Sequence, residues 1–225
     1  MQNLFVTGTD TGVGKTLVSA ALLRRFRQHG LRVAGMKPVA SGCEATPAGL
    51  RNEDALALQA ESSANWPYAT INPFAYAPPI APHVAADEAG IPVDFDMILA
   101  RYETLAAVSD RVVVEGAGGW LVPLAGRKTI ADLAAALGLD VVLVVGLRLG
   151  CLNHAFLSAD AIAARGLRLA GWVANTIDPA YERLEANLAT LDERLAAPRL
   201  GLIPHGRPGD VAAAAAALDV APLLE

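Results

Sequence analysis

Thr7-Gly8-Thr9-Asp10-Thr11-Gly12-Val13-Gly14-Lys15-Thr16 stands between an apolar run, Leu4–Thr7, and an amphipathic stretch that begins at Lys15. A glycine-rich turn between a strand and a helix aims several backbone N–H groups at one point, and the helix N-terminus adds partial positive charge there. Such a point suits a phosphate. Lys15 would reach the β- and γ-phosphates of a nucleotide, and the Thr16 hydroxyl would bind Mg²⁺. The strict pattern of these loops has glycine where this chain has Thr9, with Gly8 one place early. Gly12-Val13-Gly14-Lys15-Thr16 in a strand–turn–helix setting still outweighs the reading as a plain turn.

Outward from this loop, short apolar runs alternate with helix-length segments. Leu4–Thr7, Arg32–Pro38, Val112–Glu115, Val141–Val145, Leu169–Ala174 and Leu200–Ile203 read as strands. Helices are expected over about Lys15–His29, Thr129–Leu137, Asn153–Arg165 and Ala180–Ala196, with a short terminal one in the alanine run 212–217. The strands are continuously apolar rather than alternating, so helices should cover both faces. The expected fold is α/β and P-loop NTPase-like, a mainly parallel sheet with right-handed crossovers in one domain, 1–225. The stretch from Ala40 to Asp110 is less regular, with Pro73, Pro78, Pro79 and Pro82 punctuating short helical pieces.

Composition agrees with this reading. In 225 residues, 53% are hydrophobic and 18% charged, which excludes a disordered chain. Eighteen basic against 23 acidic residues, with no basic run, argue against a nucleic-acid surface. Cys43 and Cys151 match no zinc or disulfide spacing, which suits a reducing, cytoplasmic setting. No apolar run approaches the ~20 residues of a membrane span, and Met1-Gln2-Asn3 lacks the positive start of a leader.

Three further places carry chemistry. Glu115 ends an apolar strand before Gly116-Ala117-Gly118-Gly119, and ligands of open α/β sheets bind beyond the carboxyl ends of strands. A carboxylate there could help hold Mg²⁺, which prefers oxygen ligands; the bland alternative is a solvated strand-end charge. Asp54 is a second carboxylate candidate, equally readable as a helix-start acid. Lys37 closes the second strand, where a cation would meet charge developing in phosphoryl transfer, unless it is simply solvated. Gly150-Cys151-Leu152-Asn153 opens a helix and could receive an anion, or could be ordinary capping by Asn153.

Taken together, TGTDTGVGKT at 7–16, AGMKPVASG at 34–42, GLRNEDALALQ at 49–59, VVVEGAGGW at 112–120, VVGLRLGCLNHA at 145–155 and GWVANTID at 171–178 resemble dethiobiotin synthetase. That family consists of ATP-dependent enzymes that close the ureido ring in biotin synthesis. The resemblance is plainer before Tyr181 than after it. It implies 7,8-diaminononanoate, CO₂, ATP and Mg²⁺ as reactants and cofactor, and a homodimer with a shared substrate site. It implies catalytic roles for Lys37, Lys15 and Thr11, and metal ligation by Thr16, Asp54 and Glu115. ATP contacts are implied for Gly12, Val13, Gly14, Lys15, Thr16, Leu17, Asp54, Glu115, Gly116, Ala117, Gly118, Asn175, Thr176, Pro204, His205 and Gly206. Substrate contacts are implied for Thr11 and Ser41, and for Gly150, Cys151, Leu152 and Asn153 from the other subunit. Gly12 stands where some members carry an acidic residue, and His205-Gly206 differs from the bulkier pair of some members. Partition and division-site switch ATPases share the loop and fold, but they place a lysine where this chain has Asp10. A small-molecule kinase, which would release a phosphorylated product, is a third reading.

Overall fold

The computed structural model describes residues 3–206 and 209–224, so the expectation about a leader at Met1 and Gln2 lies outside the described residues. Six strands form one sheet: β1 (Leu4–Gly8), β2 (Val33–Met36), β3 (Arg111–Gly119), β4 (Asp140–Leu147), β5 (Leu169–Thr176) and β6 (Arg199–Ile203). Their order is β6-β5-β4-β1-β3-β2, and every neighbouring pair is parallel. β3 runs on past the expected end at Glu115 to Gly119.

Among the described residues the α-helices are α1 (Lys15–Gln28), α2 (Glu53–Glu61), α3 (Tyr68–Ile71), α4 (Pro82–Ala89), α5 (Phe95–Ala106), α6 (Ile130–Leu137), α7 (Cys151–Ala164), α8 (Leu184–Arg194) and α9 (Val211–Ala216). Alternation along β1 sends Leu4 and Val6 to one face, where they meet Val18, Leu22 and Phe26 of α1 and Ala214 of α9. Phe5 goes to the other face, against Ile98 of α5 and Leu133 of α6. Further along that sheet, Leu143, Val145 and Trp172 pack with α7 and α8 through Ala155, Leu188 and Leu191. Both faces are therefore covered, which is why the strands read as unbroken apolar runs.

Some helix boundaries differ from expectation for identifiable reasons. α7 starts at Cys151, two positions before Asn153, because Gly150 caps it in a left-handed conformation (φ 95°). Asn153 is therefore inside the first turn and is not the cap. α8 starts at Leu184 rather than Ala180: Asp178 first accepts from Ala180 N at 2.9 Å, closing a turn, and Arg183 follows at φ 57°. Thr129 is the cap of α6, its hydroxyl accepting from Asp132 N while the Asp132 carboxylate accepts from Thr129 N. The irregular region is built of α2 to α5 and two small ribbons, Val39–Ala40 with Phe74–Ala75 and Glu44–Thr46 with Gly49–Arg51.

β6 passes so near the end of α9 that a Cβ on Gly201 would run into Ala217 O. Gly201→Ala is expected to cost about 1–3 kcal/mol, as overpacking does, and to lower the urea midpoint. An unchanged midpoint would mean that the turn after α9 moves aside freely.

Sequence order explains where a ligand can enter. The chain leaves β1 for β2, returns to β3 beside β1, then crosses to β4 on the opposite side. The crevice at such a reversal lies beyond the carboxyl ends of the strands, and the Thr7–Thr16 loop springs from that end of β1.

Candidate active site

Gly14 caps α1 at φ 90°, a left-handed conformation that an L side chain adopts poorly. A Cβ there would also strike the amide of Asn175, which reaches from β5 and donates to Val13 O at 2.8 Å. Asn175 thus buttresses the loop from behind. Thr9, the departure from the strict pattern, has its own use. Its N–H donates to Val144 O at 2.9 Å, and its hydroxyl accepts from Gly146 N at 3.4 Å, tying the loop to β4. Lys15 is 7% exposed and donates to Asp10 O at 2.9 Å. Burial, then the nearby charge of Lys37, pushes its pKa down to about 8.

Next to the loop lies a buried charge cluster. Glu115 is fully buried on β3, and its Oε1 accepts from Lys37 Nζ at 2.5 Å and from Thr16 Oγ1 at 2.9 Å. The Lys37 ammonium also lies 2.9 Å from Asp54 Oδ2 and donates to Gly116 O at 3.3 Å. Burial alone would lower the Lys37 pKa, but Glu115 and Asp54 outweigh it and hold the group above the ordinary lysine value. Burial pushes Asp54 upward, yet the Lys37 ammonium outweighs that and keeps its carboxyl below the usual range. Neither Lys37 nor Glu115 is a solvated strand-end charge. Asp54 fits both of its readings, because it sits in the first turn of α2 and also faces Lys37.

A cleft of about 920 Å³ opens over these groups, lined by Thr11, Gly12, Gly14, Lys15, Thr16, Lys37, Ser41, Asp54, Glu115, Ala117 and Gly118. The Ser41 hydroxyl oxygen is buried there without a hydrogen-bond partner. Sequence reasoning missed one wall, made by Pro79, Ile80, Ala81, Pro82 and Val122. The proline cluster was visible in the sequence; its position against the loop was not.

Other expected residues stand apart from the cleft. Leu17 is half-buried and packs against the core beneath α1. Asn175 and Thr176 end β5 beside Ile203 of β6, and the His205 ring lies against Thr176 O at 3.3 Å. Pro204, His205 and Gly206 are exposed. Gly150, Cys151, Leu152 and Asn153 do not line the cleft of this chain. Cys151 is buried, its sulfur 3.3 Å from the Tyr181 hydroxyl. Arg148, just before that helix start, forms an ion pair with Asp10 of the loop.

The donor set suits Mg²⁺. Thr16, Asp54 and Glu115 offer only hard oxygens, and Glu115 Oε2 is buried without a hydrogen-bond partner. No group of three His, Cys, Asp or Glu side chains that could hold a metal exists among the described residues. Mg²⁺ needs no such cage, because it keeps waters and leans on substrate phosphates.

A family model described as an AAA domain matches residues 2–209. A Pseudomonas paraeruginosa protein, ATP-dependent dethiobiotin synthetase BioD, is 58% identical over 99% of this chain and 98% of its own. The chain belongs to the dethiobiotin synthetase family. A member from Xanthomonas euvesicatoria, with the same name, is 56% identical over 94% of both chains. The chain is accordingly an ATP-dependent ligase of that family. Among solved structures, the Aquifex aeolicus cell-division protein MinD superposes with a TM-score of 0.57 at 16% identity, covering 98% of this chain and 88% of that one. The signal recognition particle receptor FtsY from Elizabethkingia anophelis gives 0.52 at 15%, covering 95% and 62%. These two show a shared P-loop NTPase fold and nothing about activity. No helix among the described residues is long and apolar enough to cross a membrane.

Proposed function

We propose that the chain, as a single domain, carboxylates 7,8-diaminononanoate with CO₂ and closes the ureido ring to give dethiobiotin, ADP and phosphate. The observation that carries this reading is Lys37, a buried ammonium placed with Lys15 at the mouth of a phosphate loop in a family so named. CO₂ adds to one amine to form a carbamate. A carbamate oxygen attacks the γ-phosphorus of ATP, expelling ADP. The second amine then attacks the carbonyl carbon of the mixed anhydride, phosphate leaves with the bridging oxygen, and the ring closes.

In this scheme the loop from Gly12 to Thr16 cradles the phosphates, and Lys15 leaves Asp10 O to meet the γ-phosphoryl. Lys37 offsets charge on the carbamate and on the transferring group. Thr16, Asp54 and Glu115 hold Mg²⁺, which when bound offsets charge on the β- and γ-phosphates. Thr11 and Ser41 position the diamine and carbamate. Asn175, Thr176 and the turn 204–206 face the adenine. Gly150–Asn153 receive the substrate carboxylate from the second subunit of a homodimer, in the cytoplasm. The test is an isotope experiment. ATP cleavage is expected to need both diamine and bicarbonate, and early phosphate from ¹⁸O-labelled CO₂ in unlabelled water should carry one label per molecule. Label-free phosphate, extrapolated to zero time to remove exchange, would rule out carbamate phosphorylation.

A further inference from the structure

We infer that Tyr68 and Asn72 are positioning residues that set the distance between the Lys37 ammonium and the Asp54 carboxylate. The observation is a one-directional hydrogen-bond chain joining the segments that carry these two charges. Asn52 N donates to the Tyr68 hydroxyl at 2.8 Å, and the hydroxyl donates to Asn72 Oδ1 at 2.9 Å. The Asn72 amide then donates to Lys37 O at 2.7 Å and to Phe74 O at 3.2 Å.

Each end of the chain lies next to a charge. Asn52 is the cap of α2, its side chain accepting from Ala55 N at 3.2 Å, and Asp54 sits in the first turn it caps. At the other end the Lys37 main chain is gripped twice, because its N–H also donates to Ile71 O at 2.9 Å. The hydrogen-bond chain ties the two backbones that carry the Lys37–Asp54 contact of 2.9 Å directly to each other, whereas the 38–51 stretch between them is a long connection with its own small ribbons.

The chain has a single allowed sense. Asn72 is buried, and its NH₂ faces two carbonyl oxygens, so a flipped amide would press oxygen against oxygen. With Asn72 Oδ1 therefore accepting, the Tyr68 hydroxyl must donate to it, which leaves the hydroxyl's lone pairs for the Asn52 N–H. Tyr68 is also fixed from outside by the Arg51 guanidinium, 4.2 Å from its ring centre. A network satisfied at every link is stiff, and removing one member leaves buried groups unpaired. Neither residue lines the cleft, so neither is placed to touch substrate.

The inference rests on the proposed roles of Lys37 and Asp54, and its test reads more than turnover. Tyr68→Phe keeps the ring and its stacking and deletes only the hydroxyl. Expected are a kcat lower by about 10-fold, as small misplacements cause, and an unchanged KM for ATP. The Mg²⁺ concentration that half-supports binding of a non-hydrolysable ATP analogue, read by calorimetry, should rise several-fold. Asn72→Ser cuts the next link and should behave alike, and the double variant should be no worse than the poorer single one. Parent chain without diamine-dependent turnover would sink the proposed reaction, while the Mg²⁺ midpoint would still report on the network. Unchanged kcat and unchanged Mg²⁺ midpoint in Tyr68→Phe overturn the inference. So does failure of both single variants to fold, which would make the network architectural.

Discussion

Lys37→Ala turns over slower than the parent by at least about 100-fold, the worth of one preorganised charge at a developing anion. Nucleotide-free, it is also the less stable protein. The Lys37 ammonium touches both Glu115 and Asp54, and Glu115 is fully buried. Removing one partner of a buried pair costs about 3–5 kcal/mol because the other charge is stranded. The two effects separate by measurement: single-turnover rates report the chemistry, and urea unfolding without nucleotide reports the stranded carboxylates. A variant with near-normal kcat would end the catalytic assignment. One with an unchanged urea midpoint would show that the two carboxylates find protons or water at little cost.

Lys15→Ala should lose a comparable factor in turnover, about 10²–10³, but with the opposite effect on the empty protein. The folded pKa of Lys15, about 8, lies below its ordinary value of 10.5. The charged form is thus disfavoured by folding, so at neutral pH the parent forfeits stability that returns as pH climbs from about 8 toward 10.5. Removing the ammonium removes that penalty. Lys15→Ala is therefore expected to be no less stable than the parent at pH 7, and to lack the parent's gain in stability between those values. A large drop in urea midpoint at pH 7 would mean that the bond to Asp10 O outweighs desolvation. Near-normal turnover would remove Lys15 from the phosphate.

The sequence disclosed the sheet well because burial on both faces leaves a strand no polar positions, and Val141–Val145 is the plainest case. It disclosed the loop because glycine and lysine at fixed spacing have few other uses. Glu115, Lys37 and Asp54 could be nominated singly, from strand ends and a helix start, but nothing in their spacing shows that one ammonium meets two carboxylates. That contact depends on β2 lying beside β3, which is a property of strand order. The Pro79–Pro82 wall and the Tyr68–Asn72 chain are hidden for the same reason: both are made by segments folded back over residues distant in sequence. The start of α7 was misplaced because Asn153 looks like a cap, whereas Gly150 takes that place.

Between β1 and β3 the ladder slips. Val6 pairs with Glu115, but the next pair is Gly8 with Gly119, so β3 spends four residues where β1 spends two. The two surplus residues fall within Gly116-Ala117-Gly118, which lies opposite Thr7 alone and directly beside the charge cluster. The strand is consequently a taut cord up to Glu115 and a slack one after it. The taut part holds the Glu115 carboxylate in place, while the slack part lays Ala117 and Gly118 along the cleft. One strand can thus act first as ruler and then as glove, with the join falling at the residue that faces both Thr16 and Lys37.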